Sequence, residues 1–346
     1  MNGSADHSSD RRSRLLGVKL RALVAGRLGE SIDAEPAGFA HGAWLIHDGA
    51  LWALADDASG RWGGALALAV RHRAASLQVI SDVGAGVIAR SATGLGFPVT
   101  AWRTESAREL VEAVADPVTA PVEPPREHLG FAPVITAAGA QVHIESGVVT
   151  GEVAGLEVCR VVDDAGEARL EVGVGTHDRE AFAALHVDQR VEDSLARVVS
   201  AVAEHRRVGA DHHPLNRLAP ERLLRWRLQV DPSLIGVAEL CPDEPPVPRP
   251  PLTQSSPCVA SGVDGDGRPV TVVCSSGVDL DLVPFVADAR RAVTERVAVH
   301  HGDTPATTRR LMVVIPARDS LRIVTEMMAL LDQASGWSAP ELVTLD

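Results

Sequence analysis

The sequence predicts an α/β protein of two domains, a Rossmann-like α/β sheet domain followed by a mixed α/β domain with a strand meander. Short apolar runs alternate with amphipathic helical periods between residues 43 and 118, which is typical of helices packed on a parallel or mixed sheet. A proline-rich break follows, and strand patterns dominate the segment after it. A chain of 346 residues also exceeds the usual size of one hydrophobic core, which favours two domains.

The first predicted domain covers residues 31–118 and follows a polar tail and short helix at residues 1–30. Apolar runs bounded by turn residues indicate strands, and a period of 3.6 residues indicates helices. The strands are predicted at WLIHDG, LWALADD, SLQVIS and PVTAWR, and the helices at GGALALAVRHRA, GAGVIARSATGL and SARELVEAVA.

A proline-rich linker at residues 119–130 separates the two predicted domains, because proline interrupts both helices and sheets. The mixed α/β domain then covers residues 131–346. Its first half has strand patterns in QVHIESGVVTGEVAGLEVCRVV and ARLEVGVG. Helices follow at REAFAALH, VEDSLARVVSAVAEHRR and PERLLRWRLQ. The end alternates strand and helix, in PVTVVCSS, DLVPFVADARRAV, RLMVVIP and SLRIVTEMMALLDQ.

Composition excludes several classes of function. The formal net charge of −13 disfavours binding of nucleic acid or membrane over the whole surface, so any polyanion contact must be local. No apolar run approaches the roughly 20 residues of a membrane span, so no membrane partner is expected. The four cysteines are scattered without C-x-x-C spacing, which predicts neither a zinc site nor a disulfide framework and favours a cytoplasmic location.

Lysine is almost absent from the chain, since Lys19 is its only lysine. Phosphate-binding loops of the G-x-x-x-x-G-K type, Schiff-base cofactors and lysine general bases therefore lack their key residue. Arginine remains available to bind phosphates or carboxylates.

Residues 155–182 indicate two strands joined by a polar turn, with Glu157 and Glu171 on neighbouring strands. Glu152 lies on the strand that approaches Glu157. Carboxylates placed together in this way bind divalent cations that polarise a phosphate and activate water, which predicts an Mg²⁺ or Mn²⁺ site at Glu152, Glu157 and Glu171. The alternative is an ordinary hairpin with solvent-facing glutamates.

This spacing resembles the PD-(D/E)XK nuclease superfamily over about residues 145–190. The resemblance implies a metal-dependent phosphodiesterase in which Glu157 and Glu171 are the catalytic metal ligands. The chain departs from the family motif at the lysine, because Gly173 occupies that position. A catalytically inactive descendant is therefore a second possibility.

Gly84 and Gly86 follow the predicted strand SLQVIS and open a helix. This pattern resembles the dinucleotide-binding fingerprint G-x-G-x-x-(G/A), in which glycines let a pyrophosphate approach a helix N-terminus. It makes a nucleotide-cofactor enzyme an alternative function. The structural alternative is a helix start that contains glycine.

Arginines are concentrated around Trp226, and they predict a local patch for nucleic acid or phosphate formed by Arg206, Arg207, Arg222, Arg225 and Arg227. A solvated helix face is the alternative.

The segment VTVVCSSGVDLDLV predicts a strand, a turn of small residues at Ser275 and Ser276 that is suited to anions, and a helix. Cys274 is predicted to be a buried apolar residue.

A non-enzymatic binding or scaffold protein remains the main alternative to a nuclease.

Overall fold

The computed structural model describes residues 3–346 except residues 41, 56–60, 107–108, 177, 181–189, 208, 211–212, 250–253, 302–307 and 334–335. The chain is mixed α/β with three sheets. It divides into two compact units. The first unit contains Met1–Val118, Val278–Gly302 and Arg318–Leu342, and the second contains Thr119–Gly277, Asp303–Ala317 and Val343–Asp346. None of the helices in the described ranges is long and apolar enough to cross a membrane.

The first unit is built on a six-stranded sheet whose strands follow each other in chain order. The strands are β1 (Ala37–Phe39), β2 (Gly42–His47), β3 (Ala50–Ala55), β4 (Ser76–Ser81), β5 (Val99–Ser106) and β6 (Glu109–Glu112). Strands β3, β4 and β5 are parallel because the helices α2 (Gly63–His72) and α3 (Ala85–Ala92) connect them as crossovers. The other neighbours are antiparallel. This sequential order lacks the reversal of strand order that defines a Rossmann fold.

One predicted element of this unit is wrong. The segment SARELVEAVA was expected to form a helix, but Glu109–Glu112 is strand β6, antiparallel to β5. The pairing continues past the strand, since the Ala113 N–H donates to the Ala101 carbonyl at 2.9 Å. Leu110 is buried in the core of the sheet, so sheet pairing and burial override a local pattern that suits a helix.

Three further helices belong to the first unit, namely α1 (Gly3–Leu28), α8 (Leu282–His301) and α9 (Arg322–Met328). Helix α1 begins earlier than the predicted polar tail allows, and its Leu20 and Leu23 are buried against the sheet. Residues 278–302 belong to this first unit. The predicted boundary instead placed all residues after 130 in one domain. A buried ion pair connects these residues to helix α3 of the same unit: Arg90 Nε donates to Asp288 Oδ1 at 2.7 Å.

The second unit contains the predicted strand meander as a four-stranded antiparallel sheet. Its strands are β7 (Gln141–Glu145), β8 (Val148–Val153), β9 (Leu156–Asp164) and β10 (Glu167–Val172). The helices of this part are α4 (Arg126–Leu129), α5 (Ala132–Ala137) and α6 (Val191–Arg206). Val158, Leu170 and Leu195 are among the residues that join this sheet and α6 in one apolar core. Most of the predicted helix REAFAALH lies outside the described residues.

The second unit also contains a five-stranded sheet in the order β11 to β15. The strands are β11 (Val237–Asp243), β12 (Cys258–Asp264), β13 (Pro269–Cys274), β14 (Arg310–Pro316) and β15 (Glu341–Leu345). Helix α7 (Pro220–Val230) packs on β11, β12 and β13. Its apolar residues Leu224 and Leu228 enter the core of this sheet. Arg222 and Arg225 project from a neighbouring face of the same helix.

Candidate functional site

Three buried glutamates from successive strands of the meander come together in the second unit. Glu145 ends β7, Glu152 lies on β8 and Glu157 lies on β9. Their exposed fractions are 6%, 4% and 2%, although glutamate is a residue that normally faces water. A shift of register after Gly151 places Glu152 directly opposite Glu157, so both side chains lie on the same face of the sheet.

Helix α7 supplies the first two guanidinium groups to these carboxylates. Arg222 donates from Nη1 to Glu152 and from Nη2 to Glu145. Arg225 donates from Nη2 to Glu152 Oε2 at 3.3 Å. Residues three apart share one face of a helix, so the sequence R-L-L-R brings both arginines to the same carboxylates.

Three more arginines complete the set, which is called here the arginine–glutamate cluster: Glu145, Glu152, Glu157, Arg160, Arg179, Arg222, Arg225 and Arg249. Arg160 binds both oxygens of Glu157, at 2.9 and 3.0 Å, and Arg179 donates to Glu157 Oε1 at 3.0 Å. Arg249 follows β11 in the proline-rich connection, and its nitrogens lie 3.4, 3.6 and 3.7 Å from oxygens of Glu145, Glu152 and Glu157.

Nearby positive charges keep Glu145 and Glu152 ionised. Burial opposes ionisation of Glu152, but the charge of Arg222, aided by His143, Arg225 and Arg249, outweighs burial and lowers its pKa to about 2. Burial also opposes ionisation of Glu145, whose pKa is lowered by His143, Arg222 and Arg249. Removing one partner of such a buried pair typically costs about 3–5 kcal/mol, because an uncompensated charge remains.

Glu171 lies at the edge of this cluster on β10. Its carboxylate is partly exposed and accepts a hydrogen bond from Arg169 at 2.8 Å, while Arg179 lies 3.6 Å away. Arg179 therefore bridges Glu157 and Glu171. The structure brings the predicted ligands Glu152 and Glu157 together but joins Glu171 to them only through arginine.

The ligand atoms of Glu152, Glu157 and Glu171 do not meet as a set of three. Within the described ranges, the only such set of histidine, cysteine or carboxylate ligands within 4.8 Å of one another is Glu30, His47 and Asp48 in the first unit. That set lies at the surface, where His47 Nε2 is 2.8 Å from Glu30 Oε1. No feature of the sequence pattern singled it out.

Gly173, at the position of the family lysine, has no room for a side chain. Its φ is +139°, and a Cβ built on it would lie 2.9 Å from the backbone nitrogen of Arg179. The backbone that carries Arg179 therefore packs directly against the place where the family motif has its lysine. Arg179 supplies a guanidinium group there, which donates to Glu157 at 3.0 Å.

A pocket of about 260 Å³, including its open mouth, adjoins the cluster. Arg222, Arg225 and Arg249 line it together with Glu145, Asp243 and Cys258. Asp243 is held by its neighbours, because it accepts hydrogen bonds from the Ser261 hydroxyl and, at 2.7 Å, from the Glu244 N–H.

Two pocket arginines keep buried N–H groups that no atom of the described residues accepts: Nε and Nη1 of Arg225 and Nη1 of Arg249. The side chain of Arg225 is only 2% exposed, so bulk water does not solvate it. Buried polar groups are nearly always hydrogen-bonded, and each one left without a partner costs about 1–3 kcal/mol, or more when charged. Arg225 and Arg249 both line the pocket.

The predicted arginine patch does not form one exposed face. Arg206 is buried and donates to the backbone carbonyls of Ala154, Leu215 and Leu218. Arg222 and Arg225 belong to the cluster. Only Arg207 and Arg227 are exposed, so the prediction of nucleic-acid contact depends on those two residues.

The predicted cofactor turn is closed by an acidic side chain. Gly84 has a φ of +72° and precedes α3, as a glycine-containing helix start requires. A Cβ on Gly86 would lie 2.1 Å from Asp116 Oδ1, and the Asp116 N–H donates to the Gly86 carbonyl at 3.0 Å. A carboxylate here occupies the side from which a pyrophosphate would approach Gly86.

Sequence patterns missed Glu145, Arg160, Arg249 and Cys258. The alternation of QVHIE gives one signal for Glu145, because His143 and Glu145 share a buried face, and their side chains lie 3.0 Å apart. Arg249 gives a weaker signal as the one cation among the prolines of PPVPRPP.

Comparison of the chain with protein-family models, curated proteins and solved structures finds no match.

Proposed function

We propose that the second unit is a non-enzymatic binding module that holds a small oxyanion, the phosphate or carboxylate group of a ligand, in the pocket beside Arg225 and Arg249. The observation that carries this proposal is the set of buried guanidinium N–H groups without acceptors on residues that line the pocket. A planar guanidinium matches the geometry of both oxyanions.

The charge balance of the cluster supports an anionic ligand. Three buried glutamates form ion pairs with five arginines, and Glu171 offsets one more positive charge through Arg179. One positive charge remains within this set. Asp243 also lines the pocket and offsets this charge, which favours a ligand group of low charge.

The same contacts argue against catalysis. The oxygens of Glu152 and Glu157 are engaged by guanidinium groups, so a metal ion would have to displace at least Arg222 and Arg160. A guanidinium is not a general base, because its pKa stays above roughly 12. This combination fits an inactive relative of the PD-(D/E)XK nucleases, in which arginines take the place of the metal. Reduced cysteines and a cytoplasmic location form part of the same proposal.

A metal-dependent phosphodiesterase is the second candidate. The observation that favours it is the position of Glu152 opposite Glu157, with both carboxylates buried side by side. In this alternative Mg²⁺ or Mn²⁺ displaces guanidinium groups from the two glutamates, and Glu171 joins them. Cleavage of single- or double-stranded nucleic acid that is lost in Glu152→Gln would support this candidate over the first.

The proposed function is tested by calorimetric titration with inorganic phosphate and with acetate. Arg249→Met removes a pocket cation from a loop, and Arg227→Met removes an exposed cation from α7 as the matched control. We expect one of the anions to bind wild type and the control alike, and Arg249→Met to weaken that binding at least about tenfold, since a charge-assisted hydrogen bond is worth about 1.5–3 kcal/mol. Equal binding by all three proteins would contradict the proposal.

A further inference from the structure

Cys258 and Cys274 lie directly opposite each other on the antiparallel strands β12 and β13. We propose that these two residues are a redox-active dithiol, which hydrogen peroxide entering the arginine-lined pocket converts into a disulfide. The proposal does not depend on the anion-binding function, because it concerns the thiols alone.

The register suits a disulfide. Residues opposite each other in an antiparallel pair have Cα atoms about 4.5–5.5 Å apart and side chains on the same face. A disulfide requires a Cα separation of about 4.4–6.8 Å. The bond can therefore form without a change of strand pairing.

The other two cysteines have no such partner. Cys159 lies on β9 opposite Gly151, and Cys241 lies on β11 opposite Ser261. Burial raises the pKa of the Cys159 thiol to about 12, which makes it a poor nucleophile. The pair on β12 and β13 is thus distinguished by geometry from the rest of the cysteines.

Cys258 is the member of the pair that a small molecule can reach. It lines the pocket together with Arg222 and Arg225, whereas Cys274 lies fully inside the sheet. Hydrogen peroxide is close to water in size and hydrogen-bonding capacity, so it suits a pocket lined by polar side chains. Cys274 is then placed behind Cys258 as the second thiol.

The two thiols differ in how readily they ionise, which makes Cys258 the nucleophile and Cys274 the second thiol. Burial opposes ionisation of Cys258, but the hydrogen bond from Cys274 and the charges of Arg225 and Arg222 outweigh it and lower the pKa of Cys258. The same hydrogen bond and burial raise the pKa of Cys274. The carboxyl of Glu221 acts against the Cys258 thiolate, while its backbone carbonyl accepts from Cys258 Sγ at 3.4 Å.

The reaction has two steps. The Cys258 thiolate attacks one oxygen of hydrogen peroxide, the O–O bond breaks, and the leaving hydroxide takes a proton to become water. The Cys274 sulfur then attacks the Cys258 sulfenic acid, the S–O bond breaks, and a second water leaves with the thiol proton. Two thiols are oxidised to one disulfide, and one peroxide is reduced to two waters.

The test uses the full chain with Cys241→Ser, which removes the exposed thiol as a background reaction. After hydrogen peroxide and then alkylation in denaturant, we expect loss of two alkylatable thiols and a peptide in which Cys258 is linked to Cys274. Cys274→Ser in the same background should give Cys258 sulfenic acid and no linked peptide. A dithiol reductant should restore both thiols of the parent protein.

A second variant tests whether Arg225 increases the reactivity of the Cys258 thiol. Arg225→Met should slow the loss of Cys258 thiol at neutral pH several-fold, while Arg227→Met leaves the rate unchanged. Retention of both thiols after peroxide treatment that fully oxidises Cys241 in wild type would overturn the proposal. Linkage of Cys258 to Cys159 instead of Cys274 would overturn it as well.

Discussion

Glu152 and Glu157 face each other across β8 and β9, and five arginines converge on them and on the neighbouring Glu145. Two carboxylates in this position would repel one another in the absence of cations. Guanidinium groups supply those cations, so the cluster is a feature of stability as well as a candidate site.

Arg222→Met should lower the free energy of unfolding by about 3–5 kcal/mol, because it removes the arginine that is hydrogen-bonded to both of the buried carboxylates Glu145 and Glu152. The measurement is urea unfolding at neutral pH. Arg227→Met on the same helix is the control, and its effect should stay within about 0.5 kcal/mol, as for other exposed positions. Similar effects of the two substitutions would show that the ion pairs of Arg222 contribute nothing.

Stability should fall in acid as Glu152 takes up a proton. Its pKa is lowered from 4.5 to about 2 in the folded protein, so its contribution is fully present above pH 4.5 and is lost as the pH falls to about 2. Glu152→Gln, which cannot titrate, should have a shallower loss of stability over this window. Unfolding curves at several pH values give the comparison, and parallel pH profiles of the two proteins would contradict the assignment.

Asp243→Asn should strengthen anion binding several-fold. The substitution removes a negative charge from the wall of the pocket, and its one oxygen can still accept from the Glu244 N–H while its amide nitrogen donates to the Ser261 hydroxyl oxygen. Exposed Asp231→Asn in the same unit is the control and should leave the affinity unchanged. Calorimetry with the anion that binds wild type decides between them, and weaker binding by Asp243→Asn would argue against an anion in this pocket.

Introducing the lysine of the PD-(D/E)XK motif should not create a nuclease. Gly173→Lys places a side chain where the backbone nitrogen of Arg179 is 2.9 Å from the Cβ position, at a φ of +139°. We expect a loss of stability of at least about 1 kcal/mol and no gain of cleavage. Gly166→Ala serves as the control for backbone strain alone, since its φ is +89° and no atom lies within 4 Å of the added Cβ. A stable Gly173→Lys protein that cleaves nucleic acid would favour the second candidate function.

Local patterns in the sequence predict much of the fold. Alternation along QVHIE and GLEVCRVV predicts the meander, and the strand PVTVVCSS is present as β13. The segment RELVEA escapes prediction because its helical pattern is overridden by pairing with β5. The assignment of residues 278–302 to the first unit depends on contacts made far along the chain, such as that of Arg90 with Asp288.

The cluster was predictable only in part. The sequence indicates Glu152, Glu157, Arg222 and Arg225 as polar residues of interest, but not that they neutralise each other. The register shift after Gly151 decides that Glu152 faces Glu157, and no residue pattern marks it. Arg249 reaches Glu145 from about a hundred residues away, a pairing that only the folded chain creates.

We propose that arginines occupy the place of a metal ion at Glu152 and Glu157. Calorimetric titration with Mn²⁺ of wild type and of the double variant Glu152→Gln, Glu157→Gln distinguishes the two arrangements. We expect no heat of Mn²⁺ binding that differs between the two proteins. Binding by wild type that disappears in a folded double variant would contradict it and establish the two glutamates as metal ligands.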